Sequence, residues 1–347
     1  MIKRRIAAIA ASAMLAVSVF GLAACGGTST NTAATTSAST ESASTEAQAG
    51  YPVTVTTYDN DKQPVELTFD KAPEKVIAVY QNDIENLLAL GQGDKIVMAT
   101  GLDHDVLPNL KDSFDKINYT SEYTPSKESA LSYDPDFILG WHSLFADDKL
   151  GSIKSWQEQG VNAYSSLNSG GAPERTLDNE YKDLENLGKI FNVEDKASEL
   201  VDEIKSAVSD TVDHAKQEGT KPNVLVMEYL SGEISNYGKS TLAGDMVTQL
   251  NGNLVAPDAK QLGTEDIVKA NPDVIFVVYM DSSAENGENM ADKVKNEVMN
   301  DPALADLDAV KNGRVVPIEL GQMYCSGVRT IDGIHTFASG MYPDLKF

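Results

Sequence analysis

The sequence predicts an α/β protein with two lobes that are joined by one long α-helix. Strand patterns alternate with helix patterns from residue 75 to residue 191, and the same alternation restarts after residue 222. A helical pattern that no glycine or proline interrupts lies between these two regions. Alternating strands and helices are typical of parallel βαβ units, and 347 residues suffice for two domains with full cores.

The predicted connecting helix occupies residues 193–218. Glu194 and Asp195 lie in its first turn, where the helix dipole favours acids, while Gly219 and Pro222 follow its end. Its apolar residues recur three and four positions apart, which places them on one face of a helix: Ala197, Leu200, Val201, Ile204, Val208 and Val212. The pattern alone is equally typical of an ordinary surface helix, so the flanking segments decide the interpretation.

The flanking segments are predicted to form an N-terminal lobe over 51–192 and a C-terminal lobe over 219–347. The first begins with a β-hairpin and continues with strands at 76–80, 96–101, 137–140 and 161–167 and helices at 84–90, 126–132, 154–160 and 176–191. The second has predicted strands at 224–230, 274–280 and 315–320 and helices at 242–252, 263–270, 290–298, 304–311 and 330–341.

The first 24 residues have the pattern of a secretory signal peptide. Three basic residues precede an apolar run over 6–22, which is too short for a comfortable membrane span. The run leads into LAACG at 22–26, which resembles the lipobox of bacterial lipoproteins. We therefore expect Cys25 to carry acyl chains such as palmitate, which would hold the protein on the extracytoplasmic face of the cell membrane. Residues 25–50, rich in Ser, Thr and Ala, are predicted to be a disordered tether.

The charge argues against nucleic acid and anionic membrane surfaces as partners. The net charge is −24, and loss of three basic and no acidic residues with the signal peptide takes it to −27. Phosphates are repelled by such a surface. Cys325 is the only cysteine besides Cys25, so no internal disulfide is expected, and the sequence indicates no role for its thiol.

A near repeat relates the two predicted lobes. Residues 126–138 and 263–275 each contain a glutamate seven positions ahead of a Pro-Asp pair that opens an apolar strand. These glutamates are Glu128 and Glu265. Placement in the first turn of a short helix would account for an acid, because the helix dipole favours acids there and proline ends the helix. This placement does not explain why the acid is a glutamate in both segments, because aspartate, serine and threonine suit a helix start equally well.

Several segments of the chain point to one protein family: the lipobox-like motif, both repeat segments and the stretches 75–101 and 307–320. Together they resemble the substrate-binding lipoproteins of ABC importers for iron-siderophore, haem and cobalamin. The resemblance covers residues 50–347. It implies two Rossmann-like lobes joined by one long helix, with ligand held in the cleft between them and little closure on binding. It also implies a monomer that docks Glu128 and Glu265 on an ABC permease dimer, which a cytoplasmic ATPase drives.

In open α/β sheets, ligands gather at the carboxyl ends of the strands. Aromatic side chains at so many of these ends suit a bulky, flat ligand. The candidates at or after strand ends are Tyr80, Trp141, His142, Tyr164, Tyr229, Tyr279, Met280 and Tyr324. Arg175 and Arg329 precede helices and would add positive charge, which the resemblance implies for an anionic ferric siderophore. For each arginine, a surface salt bridge is the alternative.

Other ligands and functions remain open at this point. Haem and cobalamin are alternatives to a ferric siderophore, with His142 or a methionine such as Met98 or Met280 as a conceivable axial ligand of haem. No metal or cofactor of the protein itself is expected, because no two of the four histidines share a metal-ligand spacing. An enzyme is not expected, since a phosphate-binding loop, a dinucleotide fingerprint and a nucleophile elbow are all missing from the sequence. A surface enzyme or adhesion lipoprotein is the alternative of a different class.

Overall fold

The computed structural model describes residues 49–230, 233–281 and 287–347. The predicted signal peptide, the lipidation site Cys25 and almost all of the predicted tether lie outside the described residues. Among the described helices, none combines the length and the apolar character needed to cross a bilayer.

The first lobe is built on a sheet of four parallel strands. They are Val76–Val79 (β3), Ile96–Thr100 (β4), Phe137–Gly140 (β5) and Asn162–Ser165 (β6), after an antiparallel hairpin of Val53–Tyr58 (β1) and Pro64–Phe69 (β2). The helices are Gln81–Ala89 (α1), Lys111–Phe114 (α2), Lys127–Ser132 (α3), Ile153–Gln157 (α4) and Leu177–Phe191 (α5). The sheet order is β4-β3-β5-β6, and β3 and β5 are buried along their whole length. The predicted parallel arrangement is confirmed here.

The second lobe contains a mixed sheet. Its strands are Asn223–Leu230 (β7), Glu233–Asn236 (β8), Asn253–Leu254 (β9), Gln261–Leu262 (β10), Val274–Tyr279 (β11) and Val315–Glu319 (β12). Strands β7, β9, β11 and β12 pair in parallel, whereas β8 and β10 form an antiparallel edge. The sequence did not predict this edge, because only one of the four residues of β8 is buried and no apolar alternation marks the strand.

Short helices cover both faces of the second sheet. They are Leu242–Gln249 (α7), Thr264–Ala270 (α8), Met290–Met299 (α9), Asp308–Lys311 (α10) and Thr330–Met341 (α11). The helix predicted at 304–311 was too long, because only its second half is helical, and the helices predicted at 154–160 and 242–252 end about three residues earlier than expected.

One helix, Glu194–Glu218 (α6), joins the two lobes. Its 25 residues span about 37 Å, and it ends at Gly219, whose φ of 66° suits a residue without a side chain. Ala197 near its start packs into the core of the first lobe, whereas Val201, Ile204 and Ala207 pack into the core of the second. The predicted fold of two α/β lobes joined by one long helix is confirmed.

A tight turn before α11, residues 325–329, inserts between α1 and α5 of the first lobe. The backbone N–H of Gly327 donates to Oε2 of Glu180 at 2.6 Å, and that of Val328 donates to Oδ1 of Asn86 at 2.8 Å. Gly327 has a φ of 53°, and a Cβ there would lie 2.1 Å from Oδ1 of Asn86. This interlobe turn therefore fixes the second lobe against two helices of the first.

Candidate functional site

Four aromatic side chains form a continuous row across the boundary between the lobes. The ring centroids of Tyr80 and Trp141 are 4.6 Å apart, and those of Trp141 and Tyr324 are 5.4 Å apart. Tyr123 extends the row at its other end, with its centroid 5.7 Å from that of Tyr80. Tyr80, Tyr123 and Trp141 belong to the first lobe and Tyr324 to the second. We call these four residues the aromatic row.

The start of α1 positions the aromatic row. Tyr80 lies between β3 and α1 with a φ of 81°, a conformation that is rare for a bulky residue and is found at functional sites. Its backbone N–H donates to the carbonyl oxygen of Thr100 at 2.9 Å. The indole Nε1 of Trp141 donates to Oδ1 of Asn82 in the first turn of α1, at 2.6 Å. The two rings are therefore held by the strand end and the helix that follows it.

Arg175 lies at the second-lobe end of the aromatic row. Its guanidinium carbon is 4.8 Å from the centroid of the Tyr324 ring, which is cation–π distance. The arginine also lines a pocket of about 420 Å³ between the lobes, and the full lining is Pro173, Glu174, Arg175, Thr176, Lys239, Ser240 and Asp245. Its side chain is half-buried, so its charge can reach a ligand.

His142 follows Trp141 and carries a neutral imidazole at pH 7. Its backbone N–H donates to Oγ of Ser169 at 2.7 Å. Burial lowers the pKa of the imidazole, and the nearby charges of Lys62 and Arg175 lower it further, against the opposing effect of Asp59. Within the described part of the chain, the buried Nδ1 has no hydrogen-bond partner. A neutral imidazole has one nitrogen without a proton, and His142 follows Trp141 of the aromatic row directly along the chain.

Arg329 does not face a ligand. Its Nε and Nη2 donate to the two carboxylate oxygens of Glu85 at 2.6 and 2.8 Å, and Nη1 donates to Glu319 at 2.8 Å. Nη2 also donates to the carbonyl oxygen of Asp105 at 2.6 Å. The residue is 4% exposed. The prediction of Arg329 as a ligand-binding residue is therefore corrected: its donors join the lobes, and an internal ion pair takes the charge that a ligand would need.

Two predicted tyrosines lie apart from the aromatic row. Tyr229 packs against the outer core of the second lobe, and the pKa of its hydroxyl is raised by burial and by Asp301 and Glu297 beside α9. Tyr279 lies at the lobe boundary, where its ring meets His104 edge to face at 6.1 Å. The structure therefore brings Tyr80, Trp141 and Tyr324 together and leaves Tyr229 on the other side of its sheet.

Three buried carboxylates lie beneath the row, and the sequence did not single them out. Oδ1 of Asp83 accepts from the hydroxyl of Ser166 at 2.5 Å, and Oδ1 of Asp183 accepts from that of Tyr164 at 2.6 Å. Burial raises the pKa of Asp83, Glu180 and Asp183, although hydrogen bonds to each oppose this. The thiol of Cys325 is buried close by, and burial and the three carboxylates raise its pKa.

The two glutamates of the sequence repeat are exposed in the first turns of α3 and α8. Glu128 and Glu265 form no hydrogen bond or ion pair with the described residues. The aspartates of the two Pro-Asp pairs have a structural role instead. Asp136 accepts the N–H groups of Glu74 and Lys75 at 2.8 and 2.9 Å, and Asp273 accepts that of Asn223 at 2.7 Å. At the two positions that the repeat segments share, each lobe thus has one structural aspartate and one unengaged glutamate.

Known proteins provide an independent comparison. Residues 76–319 match the family described as periplasmic binding protein. The uncharacterized ABC transporter substrate-binding lipoprotein YvrC of Bacillus subtilis is 26% identical over 300 residues, 85% of this chain and 87% of the relative. The petrobactin-binding protein YclQ of Bacillus subtilis is 26% identical over 266 residues, 74% of this chain and 78% of the relative.

A solved structure agrees with both the fold and the sequence. The crystal structure of a periplasmic binding protein from Veillonella parvula has a TM-score of 0.78 and 33% identity, and the match covers 84% of this chain and 92% of that one. The family match spans both sheets and the helix between them. These findings confirm the resemblance drawn from the sequence: the chain belongs to the periplasmic binding protein family, and it is a binding protein rather than an enzyme.

Proposed function

We propose that the chain is a lipid-anchored receptor that captures a ferric siderophore between its lobes and delivers it to the permease of an ABC importer. Residues 51–192 and 219–347 are the two lobes in this proposal, and Cys25 is the lipid anchor on the extracytoplasmic face of the membrane. Two relatives support it, one being an ABC transporter substrate-binding lipoprotein and the other a petrobactin-binding protein.

The aromatic row with Arg175 at its end is the observation that carries the proposal. A ferric siderophore combines flat chelating groups with, in many cases, a net negative charge. Aromatic rings offer such groups a contact surface, and a half-buried guanidinium offers paired donors to their oxygens. Tyr80, Trp141 and Tyr324 supply the rings, and Arg175 supplies the charge.

Haem is the second candidate ligand, and His142 is the observation that favours it. Its lowered pKa keeps the imidazole neutral, so that one of its two ring nitrogens carries no proton. An unprotonated imidazole nitrogen beside flat aromatic rings is what an axial haem ligand requires. His142 would bind the iron, while Trp141 would contact the porphyrin ring.

Intrinsic fluorescence allows both ligands to be tested. The chain has two tryptophans, and Trp156 is fully buried in the first lobe with its Nε1 bonded to the carbonyl oxygen of Leu150. Trp141 therefore reports on the aromatic row. We expect saturable quenching by a ferric tris-catecholate, weakened at least about tenfold by Arg175→Gln, because a hydrogen bond to a charged group is worth about 1.5–3 kcal/mol.

Controls separate charge from packing. Lys311→Gln removes an exposed cation far from the aromatic row and should leave the affinity unchanged. The second candidate would be favoured by two results together: haemin quenches the fluorescence unless His142 is replaced by alanine, and the ferric catecholate has no effect. No saturable quenching of Trp141 by either compound would overturn the proposed function.

A further inference from the structure

Three metal-ligating side chains from both lobes meet next to the interlobe ion pair. His104 follows β4 in the first lobe, whereas Asp281 and Glu319 lie at the carboxyl ends of β11 and β12 in the second. One nitrogen or oxygen of each lies within 4.8 Å of the others. Nδ1 of His104 is 3.3 Å from Oδ2 of Asp281. No sequence pattern indicates this cluster, because its residues are far apart along the chain.

The histidine of this cluster is buried with an unsatisfied nitrogen. Its side chain is 1% exposed, and its backbone N–H is held by Oε1 of Gln81 at 3.1 Å. Nδ1 faces both the N–H and the carboxylate of Asp281, at 3.4 and 3.3 Å. In either tautomer the ring is incompletely satisfied, since Nε2 has no hydrogen-bond partner within the described ranges. Nδ1 is the nitrogen that faces the cluster, so a metal ion bound to it leaves the ring proton on Nε2.

The local charge is negative enough to favour a cation. Oε2 of Glu319 accepts from Arg329 at 2.8 Å, whereas Oε1 accepts only a long hydrogen bond from the Tyr279 hydroxyl at 3.5 Å, which a metal ion can displace. Arg329 is already paired with both carboxylate oxygens of Glu85. Glu85 and Glu319 thus place two carboxylates on one guanidinium, and Asp281 adds a third carboxylate beside His104. The Asp281 side chain is 52% exposed, so an ion can enter from solvent.

We propose that His104, Asp281 and Glu319 form a binding site for one divalent transition-metal ion that links the two lobes. One imidazole and two carboxylates suit Zn²⁺, Mn²⁺ or Co²⁺, whereas Mg²⁺ and Ca²⁺ prefer oxygen ligands alone. Neighbouring donors of a tetrahedral site with bonds of 2.0–2.2 Å are about 3.4 Å apart. The 3.3 Å between Nδ1 of His104 and Oδ2 of Asp281 is close to this value, and a shift of at most about 1.4 Å brings in the third ligand.

The proposed metal site shares no residue with the site for the chelate. It includes no member of the aromatic row and neither His142 nor Arg175, although Asp103, next to His104, accepts from the Tyr123 hydroxyl at 3.0 Å. Because binding of a free metal ion is measured without any chelate, each proposal can fail without the other.

Cobalt binding tests the proposal directly. The full chain in detergent, stripped with a chelator, is titrated with Co²⁺ alone and followed by its visible absorption. We expect one saturable Co²⁺ per chain, displaced by stoichiometric Zn²⁺. Asp281→Asn should weaken binding at least about tenfold, since removal of a ligand costs more than the 10–100-fold loss typical for a supporting residue. His104→Asn should abolish the absorption bands of nitrogen-bound cobalt.

Matched variants distinguish the cluster from competing cobalt sites. Asp306→Asn changes a fully exposed carboxylate outside the cluster and should leave Co²⁺ binding unchanged. His214 and Glu218 form another histidine–carboxylate pair at 3.2 Å, so His214→Asn tests that competing site. Asp281→Asn alters a half-exposed side chain and should leave the urea unfolding midpoint unchanged. The proposal would be overturned if the wild type showed no saturable Co²⁺ binding. It would also be overturned if Asp281→Asn and His104→Asn both bound Co²⁺ with wild-type affinity.

Discussion

At the scale of single residues, a buried ion pair between Arg329 and Glu85 links the lobes. The two side chains are 5% and 0% exposed, and the guanidinium contacts both carboxylate oxygens. Each charge is stabilised by the other, because neither reaches enough water to be solvated alone. Loss of one partner leaves an uncompensated charge in the interior.

Replacement of Arg329 by methionine should therefore destabilise the protein strongly. We expect Arg329→Met to lower the free energy of unfolding by about 3–5 kcal/mol, measured by urea titration. The double variant Arg329→Met/Glu85→Leu should recover much of this loss, because it removes the stranded carboxylate as well. Arg175→Met, at a half-buried arginine, serves as control and should cost under about 1 kcal/mol. A loss equally small for Arg329→Met would contradict this account.

The carboxyl of Asp83 makes stability depend on pH. Burial raises its pKa in the folded state, and Oδ2 has no hydrogen-bond partner among the described residues. The folded state therefore holds the proton more tightly than the unfolded state. The contribution of Asp83 to the free energy of unfolding is complete below the unfolded-state pKa of about 3.9. It is lost as the pH rises towards the folded-state pKa of this carboxyl.

An amide at position 83 should remove this pH-dependent loss of stability. We expect Asp83→Asn to raise the free energy of unfolding relative to the wild type at pH 8, with a smaller gain at pH 5, because the amide remains neutral at both values. Urea unfolding at the two pH values measures the difference. Asp344→Asn, which changes an exposed carboxylate, should keep the wild-type pH dependence. An equal or smaller gain at pH 8 than at pH 5 would contradict the assignment.

At the scale of elements, α6 derives its position from the side chains that it buries. Ile204 is 2% exposed and belongs to the core of the second lobe, while Glu203 beside it is exposed. We expect Ile204→Ala to lower the free energy of unfolding by about 2–5 kcal/mol through lost burial and an added cavity. Glu203→Ala should change it by less than about 0.5 kcal/mol. Thermal or urea unfolding of both variants measures the contrast, and equal effects would show that the helix is not packed as described.

The elements also show which features the sequence pattern predicts and which it misses. The spacing of apolar residues predicts α6, but Thr211 rather than Val212 takes a fully buried position, and its hydroxyl donates to the carbonyl of Ala207 at 2.7 Å. Hydrophobicity alone gives no preference for Thr211, because that internal hydrogen bond is what makes its burial acceptable. Strand β8 is missed for a similar reason, since its position depends on pairing with β7 and β10.

At the scale of the whole molecule, strand-end reasoning predicts part of the candidate site. Tyr80 and Trp141 follow neighbouring parallel strands, so the topology itself places them side by side. The partner of Arg329 is 244 positions away, and Asp281 is 177 positions from His104. No local pattern predicts such pairs, because they depend on how the second lobe sits against the first.

Glu128 and Glu265 present one exposed carboxylate on each lobe, which suits a two-point contact with a permease dimer. We expect the charge-reversed variant Glu128→Lys/Glu265→Lys to bind ferric chelate normally and to lose most uptake in cells, because like charges would face each other at the contact. Glu158→Lys/Glu297→Lys makes the same charge change at other exposed sites and should transport normally. Uptake by the first variant equal to that of the second would end the docking role.

The interlobe turn has a consequence for how a permease would distinguish loaded from vacant receptors. Residues 325–329 bond to α1 and α5 and so restrict changes in the separation of Glu128 and Glu265. On the proposed docking role, a permease that senses only this separation would accept loaded and vacant receptors alike. Vacant receptors would then compete for the same permease, and a surplus of them would slow import when cargo is scarce.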